Sequence, residues 1–290
     1  MINILQKKYC SLIVSVCIFF LSCSQADKNQ LTTEVSNNKW TEYSKTVQDS
    51  FVISVQLPEE YGKDASINYP TVYMLDANFH FPTLAATVKQ YEMAGMLPPI
   101  ILIGIGYKSF QLMDSLRTRD YLYPAALPSD EINAVGGGQK FNDFISNQLI
   151  PRIDSSYKTI KTNRSLLGHS FGGYFSLYAL LNQTENGKTV FTNFVAASPS
   201  LWYNKFYLNQ LVDKLKSRTN TDTLNIFTTV GGLENAEWDI APGTKLSENI
   251  TNANFKTVKF QHKVYSNLGH MDVAAITFIQ ALQAFYNKEQ

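Results

Sequence analysis

Apolar residues along this chain gather into short runs separated by polar stretches, and run length predicts the element. Such runs fall at 51–57, 72–75, 100–105, 165–167, 194–197, 224–230 and 258–265. They are too short for buried helices and predict strands. Between several of them apolar residues recur at helical spacing. Phe141, Phe144, Ile145 and Leu149 share one predicted face, and so do Ile276, Ile279, Leu282 and Tyr286 near the carboxyl end. Strands alternating with helices predict an α/β fold, with a mostly parallel central sheet and helices on both faces.

The amino terminus breaks this pattern. Lys7 and Lys8 precede an apolar run at 12–21 that is short for a membrane span but suits a secretory core. It ends in Phe20-Leu21-Ser22-Cys23, which resembles a bacterial lipobox. Residues 1–22 are thus expected to be a lipoprotein signal peptide and Cys23 the lipid-attachment residue, anchoring the protein to a bacterial membrane at its periplasmic or outer face. Ordinary signal cleavage, with Cys23 incidental, is the alternative. Residues 23–38 are polar, as expected of a flexible tether, and 39–290 fit one α/β domain.

Composition narrows the chemistry. The three cysteines are Cys10, Cys17 and Cys23, so the expected domain has neither a disulfide nor a thiol nucleophile. Removing 1–22, with two lysines and no acid, takes the net charge from +1 to −1, which predicts no nucleic-acid partner. There is no HExxH, no Cys/His cluster, no acidic calcium loop and no phosphate-binding glycine loop, so no metal and no cofactor is expected. Nothing in the sequence specifies an oligomeric state.

The most informative stretch is Gly168-His169-Ser170-Phe171-Gly172-Gly173. It follows a predicted strand and precedes a helix-compatible apolar segment, which is the setting of a GxSxG nucleophile elbow. The turn lifts Ser170 clear of the sheet and aims the first N–H groups of the next helix at a developing oxyanion. A base must then come from His80, His169, His262 or His270. His169 lies inside the elbow, His80 precedes the serine against the chain order of such sites, and His262 alternates with Val258, Phe260 and Val264 on a strand face. His270 follows the last predicted strand and precedes the last predicted helix, where this fold keeps its base. The orienting acid belongs between them in a loop after a strand, where Glu234, Glu237 and Asp239 compete. Glu234 comes soonest after the strand and its glycine turn, with Asp239 next.

These residues carry a resemblance to the esterase family of the α/β-hydrolase superfamily, which includes siderophore trilactone, feruloyl and acetyl-xylan esterases and S-formylglutathione hydrolases. Matching segments are Val55-Gln56-Leu57-Pro58 with Tyr61-Gly62, Tyr69 to Asp76, and Arg119-Asp120-Tyr121-Leu122-Tyr123-Pro124. Gly136-Gly137-Gly138 with Phe141, Leu149 to Asp154, the elbow, and Ser198-Pro199-Ser200-Leu201-Trp202 follow. Gly231-Gly232-Leu233-Glu234 resembles the acid loop of the siderophore-esterase branch, which favours Glu234. The resemblance implies oxyanion N–H donors at Phe171 and, by position, Asn78; Ala77 departs from the usual glycine there. It also implies a substrate pocket at Arg119 and Tyr121, within the stretch 107–137 that lacks a clear period, and at Trp202 after another strand, with structural bracing as the alternative. The expected activity is cofactor-free hydrolysis of a small-molecule ester through an acyl-serine, with Ser170 as nucleophile, His270 as base and Glu234 as orienter. Acyl transfer from the same intermediate, or a surface binding protein that has lost turnover, are the alternatives.

Overall fold

The computed structural model describes residues 38–287. The expected signal segment, Cys23 and the tether through residue 37 lie outside them. Eight strands form one sheet in the order β1-β2-β4-β3-β5-β6-β7-β8. They are β1 (Asn38–Ser44), β2 (Asp49–Gln56), β3 (Tyr69–Met74), β4 (Ile101–Gly106), β5 (Thr159–His169), β6 (Asn193–Ala197), β7 (Leu224–Gly231) and β8 (Val258–Tyr265). β1 and β2 pair antiparallel and β2 joins β4 antiparallel; from β4 to β8 every pairing is parallel. All seven predicted strands are present. β1 is an addition, because its buried positions are the polar Glu42 and Ser44 and its sequence shows no apolar alternation.

The helices are α1 (Ala77–Met93), α2 (Phe110–Tyr121), α3 (Gly138–Phe144), α4 (Ile150–Ser156), α5 (Phe171–Asn186), the single turn α6 (Tyr203–Phe206), left-handed at its last three residues, α7 (Leu211–Lys216), α8 (Ala241–Ala253) and α9 (Val273–Tyr286). Strand alternation divides the core into two layers. Tyr73, Ile103, Leu166 and Phe194 point into one with Phe175, Leu177 and Leu180 of α5, whereas Val72, Met74, Leu102, Leu167 and Val195 point into the other against α1 and α9. On the first face Phe51 stacks on Phe144 at 4.9 Å between ring centroids and meets Phe141 at 5.0 Å. The stripe Phe141, Phe144, Ile145 and Leu149 is fully buried as its spacing predicts, although a π-helical turn, Ile145–Leu149, joins α3 to α4.

Two expectations are corrected. Ile276 is exposed, because the buried face of α9 runs through Val273, Ala274, Thr277, Phe278, Ala281 and Leu282. The stretch 107–137 is not simply a loop. α2 occupies 110–121, capped by the Ser109 hydroxyl accepting from Leu112 N–H at 3.2 Å. It buries only Met113, Asp120 and Tyr121, too few apolar positions to give a period. Among the described residues no helix is long and apolar enough to cross a membrane.

Candidate active site

The sheet order reverses between β3 and β5, and the carboxyl ends of strands flanking such a reversal open a crevice. Five neighbouring strands deliver their next residues to that edge: Asp76 to Asn78 after β3, Ser170 after β5, Ser198 after β6, Glu234 after β7 and His270 after β8. Ser170 sits at φ 59°, ψ −120°, a conformation that costs a non-glycine residue roughly 1–3 kcal/mol and persists only where the surroundings enforce it. Here the Ser170 N–H donates to Ala197 O at 2.9 Å and its carbonyl accepts from Tyr174 N–H at 2.9 Å. The tight turn is possible because Gly168 lacks a Cβ, which would lie 2.0 Å from the Gly172 carbonyl oxygen.

Glu234 reaches His270 through a second close approach. A Cβ on Gly231 would lie 2.3 Å from Leu268 O, and one on Gly232 2.7 Å from Ser266 Cα, so this glycine pair lets the loops after β7 and β8 nest. The His270 Nδ1–H then donates to Glu234 Oε2 at 2.6 Å, and Glu234 Oε1 accepts from Gly231 N–H at 2.6 Å. Ser198 Oγ donates to the same Oε2 and lies 2.9 Å from His270 Nδ1. The Glu234 side chain is 2% exposed and that of His270 40%, so the acid is hidden while the imidazole stays open to a ligand. Burial pushes the Glu234 carboxyl up, but hydrogen bonds from His270, Ser198 and Gly231 outweigh it and leave it below the usual carboxylate range. Asp239 instead accepts from Asn235 N–H at 3.2 Å, and burial with the nearby Glu234 charge raises its carboxyl. Glu237 lies exposed in the same loop.

The other histidines have structural partners. His169 Nε2–H donates to the His270 carbonyl at 2.8 Å, and its ring packs 4.7 Å from that of His270 and 5.6 Å from that of His80. Burial and then the neighbouring His270 pull His169 down to about 3. Its ring therefore holds the backbone of His270. His262 meets Thr228 Oγ1 through Nδ1 at 2.9 Å, as a packed histidine should.

Phe171 N–H and Asn78 N–H lie in the first turns of α5 and α1, where a backbone donor has no intrahelical acceptor. The departure at Ala77 requires no unusual backbone, because the left-handed residue of this turn is Asp76, at φ 51°. Asp76 is buried and gripped by Arg117, whose Nε and Nη2 donate to Oδ1 at 3.1 Å and Oδ2 at 2.8 Å. Arg117 Nη2 also donates to His169 O at 3.0 Å, so one guanidinium ties the turn after β3 to the elbow after β5. Asn78 adds a side-chain clasp, accepting from Tyr107 N–H at 2.7 Å and donating to Tyr107 O at 2.8 Å.

Comparison with known proteins decides the family. The model of the family described as "Putative esterase" matches residues 44–283. This chain belongs to that family. Among curated relatives it is 30% identical over 203 residues to ferri-bacillibactin esterase BesA of Bacillus subtilis (strain 168), covering 66% of this chain and 68% of that protein. It is 32% identical over 106 residues to the siderophore triacetylfusarinine C esterase of Aspergillus fumigatus (strain ATCC MYA-4609 / CBS 101355 / FGSC A1100 / Af293), about a third of each protein (36% and 34%). The crystal structure of the BES protein from Bacillus cereus superposes with a TM-score of 0.74 at 25% identity, covering 87% of this chain and 96% of that one. The protein is an esterase with the α/β-hydrolase type of fold.

In this esterase two of the three expected substrate contacts need correcting. Tyr121 is fully buried, its hydroxyl accepting from Asp76 N–H at 3.2 Å, so it supports the turn after β3 and lines no surface. Arg119 is committed to Asp120 (Nε to Oδ1, 2.8 Å) and to Asp49 (Nη1 to Oδ2, 2.8 Å), the bracing alternative. Trp202 is half-buried with its ring 6.2 Å from that of Phe171, beside the elbow. Phe206 stacks parallel to the exposed Trp238 at 6.1 Å, and Leu233, earlier in the loop that carries Trp238, is exposed as well. Phe206 reaches that position through three successive left-handed residues, Asn204, Lys205 and Phe206, at φ 48°, 52° and 60°. Asn204 Nδ2 braces this turn by donating to Ala125 O at 2.8 Å. Among the described residues no group of three His, Cys, Asp or Glu side chains converges to hold a metal ion.

Proposed function

We propose that this protein is an exported, lipid-anchored serine esterase that cleaves ester-linked siderophores through an acyl-serine intermediate. The observation that carries the reading is that one edge of the sheet holds both a strained Ser170 at the head of α5 and a hidden Glu234 bonded to an open His270. Glu234 fixes the hydrogen of His270 on Nδ1, which leaves Nε2 with a lone pair. Nε2 takes the Ser170 hydroxyl proton as Oγ attacks the ester carbonyl, and the Phe171 and Asn78 N–H groups stabilise the tetrahedral oxyanion. Collapse expels the alcohol, which recovers the proton from His270. Water then repeats the sequence on the acyl-serine and releases the acid. His169, by holding the His270 carbonyl, keeps the imidazole beside the elbow during both halves.

The substrate class is supported by the names of the relatives and by the aromatic rim of Phe171, Trp202, Phe206 and Trp238, which suits aryl-acyl groups. Export rests on Lys7, Lys8, the apolar run and Cys23. The chain should hydrolyse ferri-bacillibactin faster than acetylated or feruloylated sugars, and Ser170→Ala should abolish turnover of all of them and of a short aryl ester. Product analysis with an added alcohol acceptor separates hydrolysis from acyl transfer. Activity surviving in Ser170→Ala would sink the mechanism, preference for the sugar esters would sink the substrate class, and lack of labelled palmitate on the expressed chain would sink the anchor.

A further inference from the structure

Ser198 stands at the end of β6, buried, with its N–H donating to Thr229 O at 2.9 Å. Its φ is 42°, a left-handed backbone in which glycine would carry less strain than serine. The chain nevertheless places a hydroxyl there, at a point where three polar atoms meet. Ser198 Oγ touches Glu234 Oε2, Ser198 Oγ lies 2.9 Å from His270 Nδ1, and Nδ1 lies 2.6 Å from the same Oε2.

A count of hydrogens selects one arrangement of this triangle. The serine hydroxyl has one hydrogen, Nδ1 has at most one, and an ionised carboxylate has none. If Ser198 donated to Nδ1, that nitrogen would carry no hydrogen, and its lone pair would face Oε2 at 2.6 Å with nothing between them. If both hydrogens point to Oε2, every contact is satisfied, and the Ser198 oxygen additionally accepts the edge of the Nδ1–H. This second arrangement puts the imidazole hydrogen on Nδ1 and leaves Nε2 free.

We propose that Ser198 is a positioning residue of the active site: by donating to Glu234 Oε2 it fixes the carboxylate and holds His270 in the tautomer whose Nε2 accepts the nucleophile's proton. The inference rests on the reading of Ser170 and His270 as nucleophile and base. With Gly231 N–H on Oε1, the carboxylate has three donors, and Ser198 is the only side-chain donor among them that keeps its hydrogen throughout the proposed cycle without charging. Its left-handed backbone aims Oγ back across β7, and the strain there is the cost of that aim.

The test compares wild type, Ser198→Ala, Ser198→Gly and Ser170→Ala on a short p-nitrophenyl ester across pH, with thermal unfolding of each. Ser198→Gly removes the hydroxyl and the Cβ strain together, so a loss it shares with Ser198→Ala is not a folding defect. Both should lose about 10- to 100-fold in kcat with KM little changed, the usual scale for removing a partner that orients an active-site group. In both, the acid limb of the kcat/KM profile should move to higher pH, since a carboxylate relieved of one donor makes the Glu234–His270 couple hold its proton more tightly. Wild-type kcat in either Ser198 variant, or a reduced kcat with the acid limb unmoved, overturns the positioning role while a dead Ser170→Ala leaves the esterase mechanism standing. An active Ser170→Ala overturns the mechanism itself.

Discussion

Around Ser198, Glu234 and His270 the side-chain hydrogens converge on one carboxylate, whereas a short distance along the same loops Phe206 and the exposed Leu233 and Trp238 present apolar surface. Both regions leave the carboxyl edge of β6 and β7, and both contain strained non-glycine backbone. The floor uses strain to aim a hydroxyl at a carboxylate, while the rim uses it to lay one ring on another. Hydrogen-bond counts admit few arrangements, whereas ring contacts admit many.

The sharpest break in this contrast is at the acid. Glu234→Gln keeps the shape of the site but offers His270 the wrong partner, and kcat should fall about 10⁴-fold, the scale seen when the orienting acid of a serine hydrolase becomes an amide. Asp239→Asn, in the same loop but accepting from Asn235 N–H rather than from His270, should leave kcat within about twofold. Steady-state rates on an aryl ester distinguish the two; the reverse ranking would move the acid to Asp239.

Next in size is Arg117, which binds floor to scaffold. Arg117→Met leaves the buried Asp76 without its cation and should cost about 3–5 kcal/mol in denaturant unfolding. Turnover should fall as well, since the turn after β3 and the elbow after β5 lose their common tie. A variant as stable as wild type would show the pair to be dispensable.

The fold became legible wherever burial follows apolar character. The runs that became β3 to β7 are apolar almost throughout because those strands are covered on both faces, whereas the antiparallel β2 and the edge strand β8 show alternation instead. β1 escaped because Glu42 is buried by pairing with Arg152 and by accepting from Trp40 Nε1 at 2.9 Å, which no hydrophobic pattern records. The elbow and the place of His270 follow from chain order, which a sequence displays, and the same order narrows the acid to Glu234, Glu237 and Asp239. Ser198 does not, because its importance lies in a positive φ and in contacts 36 and 72 residues away. Tyr121 and Arg119 misled for the opposite reason: an aromatic and a cation beside a pocket look alike in sequence whether they face outward or, as here, inward to Asp76 and to Asp120.

A smaller effect concerns pH. His169 is held near 3 in the folded chain, below its usual 6.5, so the unfolded chain binds more protons as pH falls beneath 6.5. Its contribution is complete above that pH and is lost progressively toward 3. Thermal unfolding between pH 7 and 5 should show a falling melting temperature, and His169→Gln should flatten that slope; an equal slope in the variant would assign it elsewhere. Smallest is the rim. Trp238→Ala removes the stack with Phe206, worth about 0.5–1.5 kcal/mol, and should raise KM for an aryl-acyl ester about two- to tenfold while leaving that for an acetyl ester unchanged. A uniform rise for both esters would return Trp238 to a purely structural role.

The delivery of one group from each of β3, β5, β6, β7 and β8 has a consequence for how the molecule comes into being. These strands are separated along the chain by helices and pair in parallel, so their contacts are distant in sequence and slow to form. No sub-assembly of three or four strands brings Ser170, Ser198, Glu234 and His270 together with the turn from Asp76 to Asn78. Regain of esterase activity during refolding should therefore report the last of these pairings, and an enzyme stalled with β8 undocked would look largely native by its helices while remaining inert.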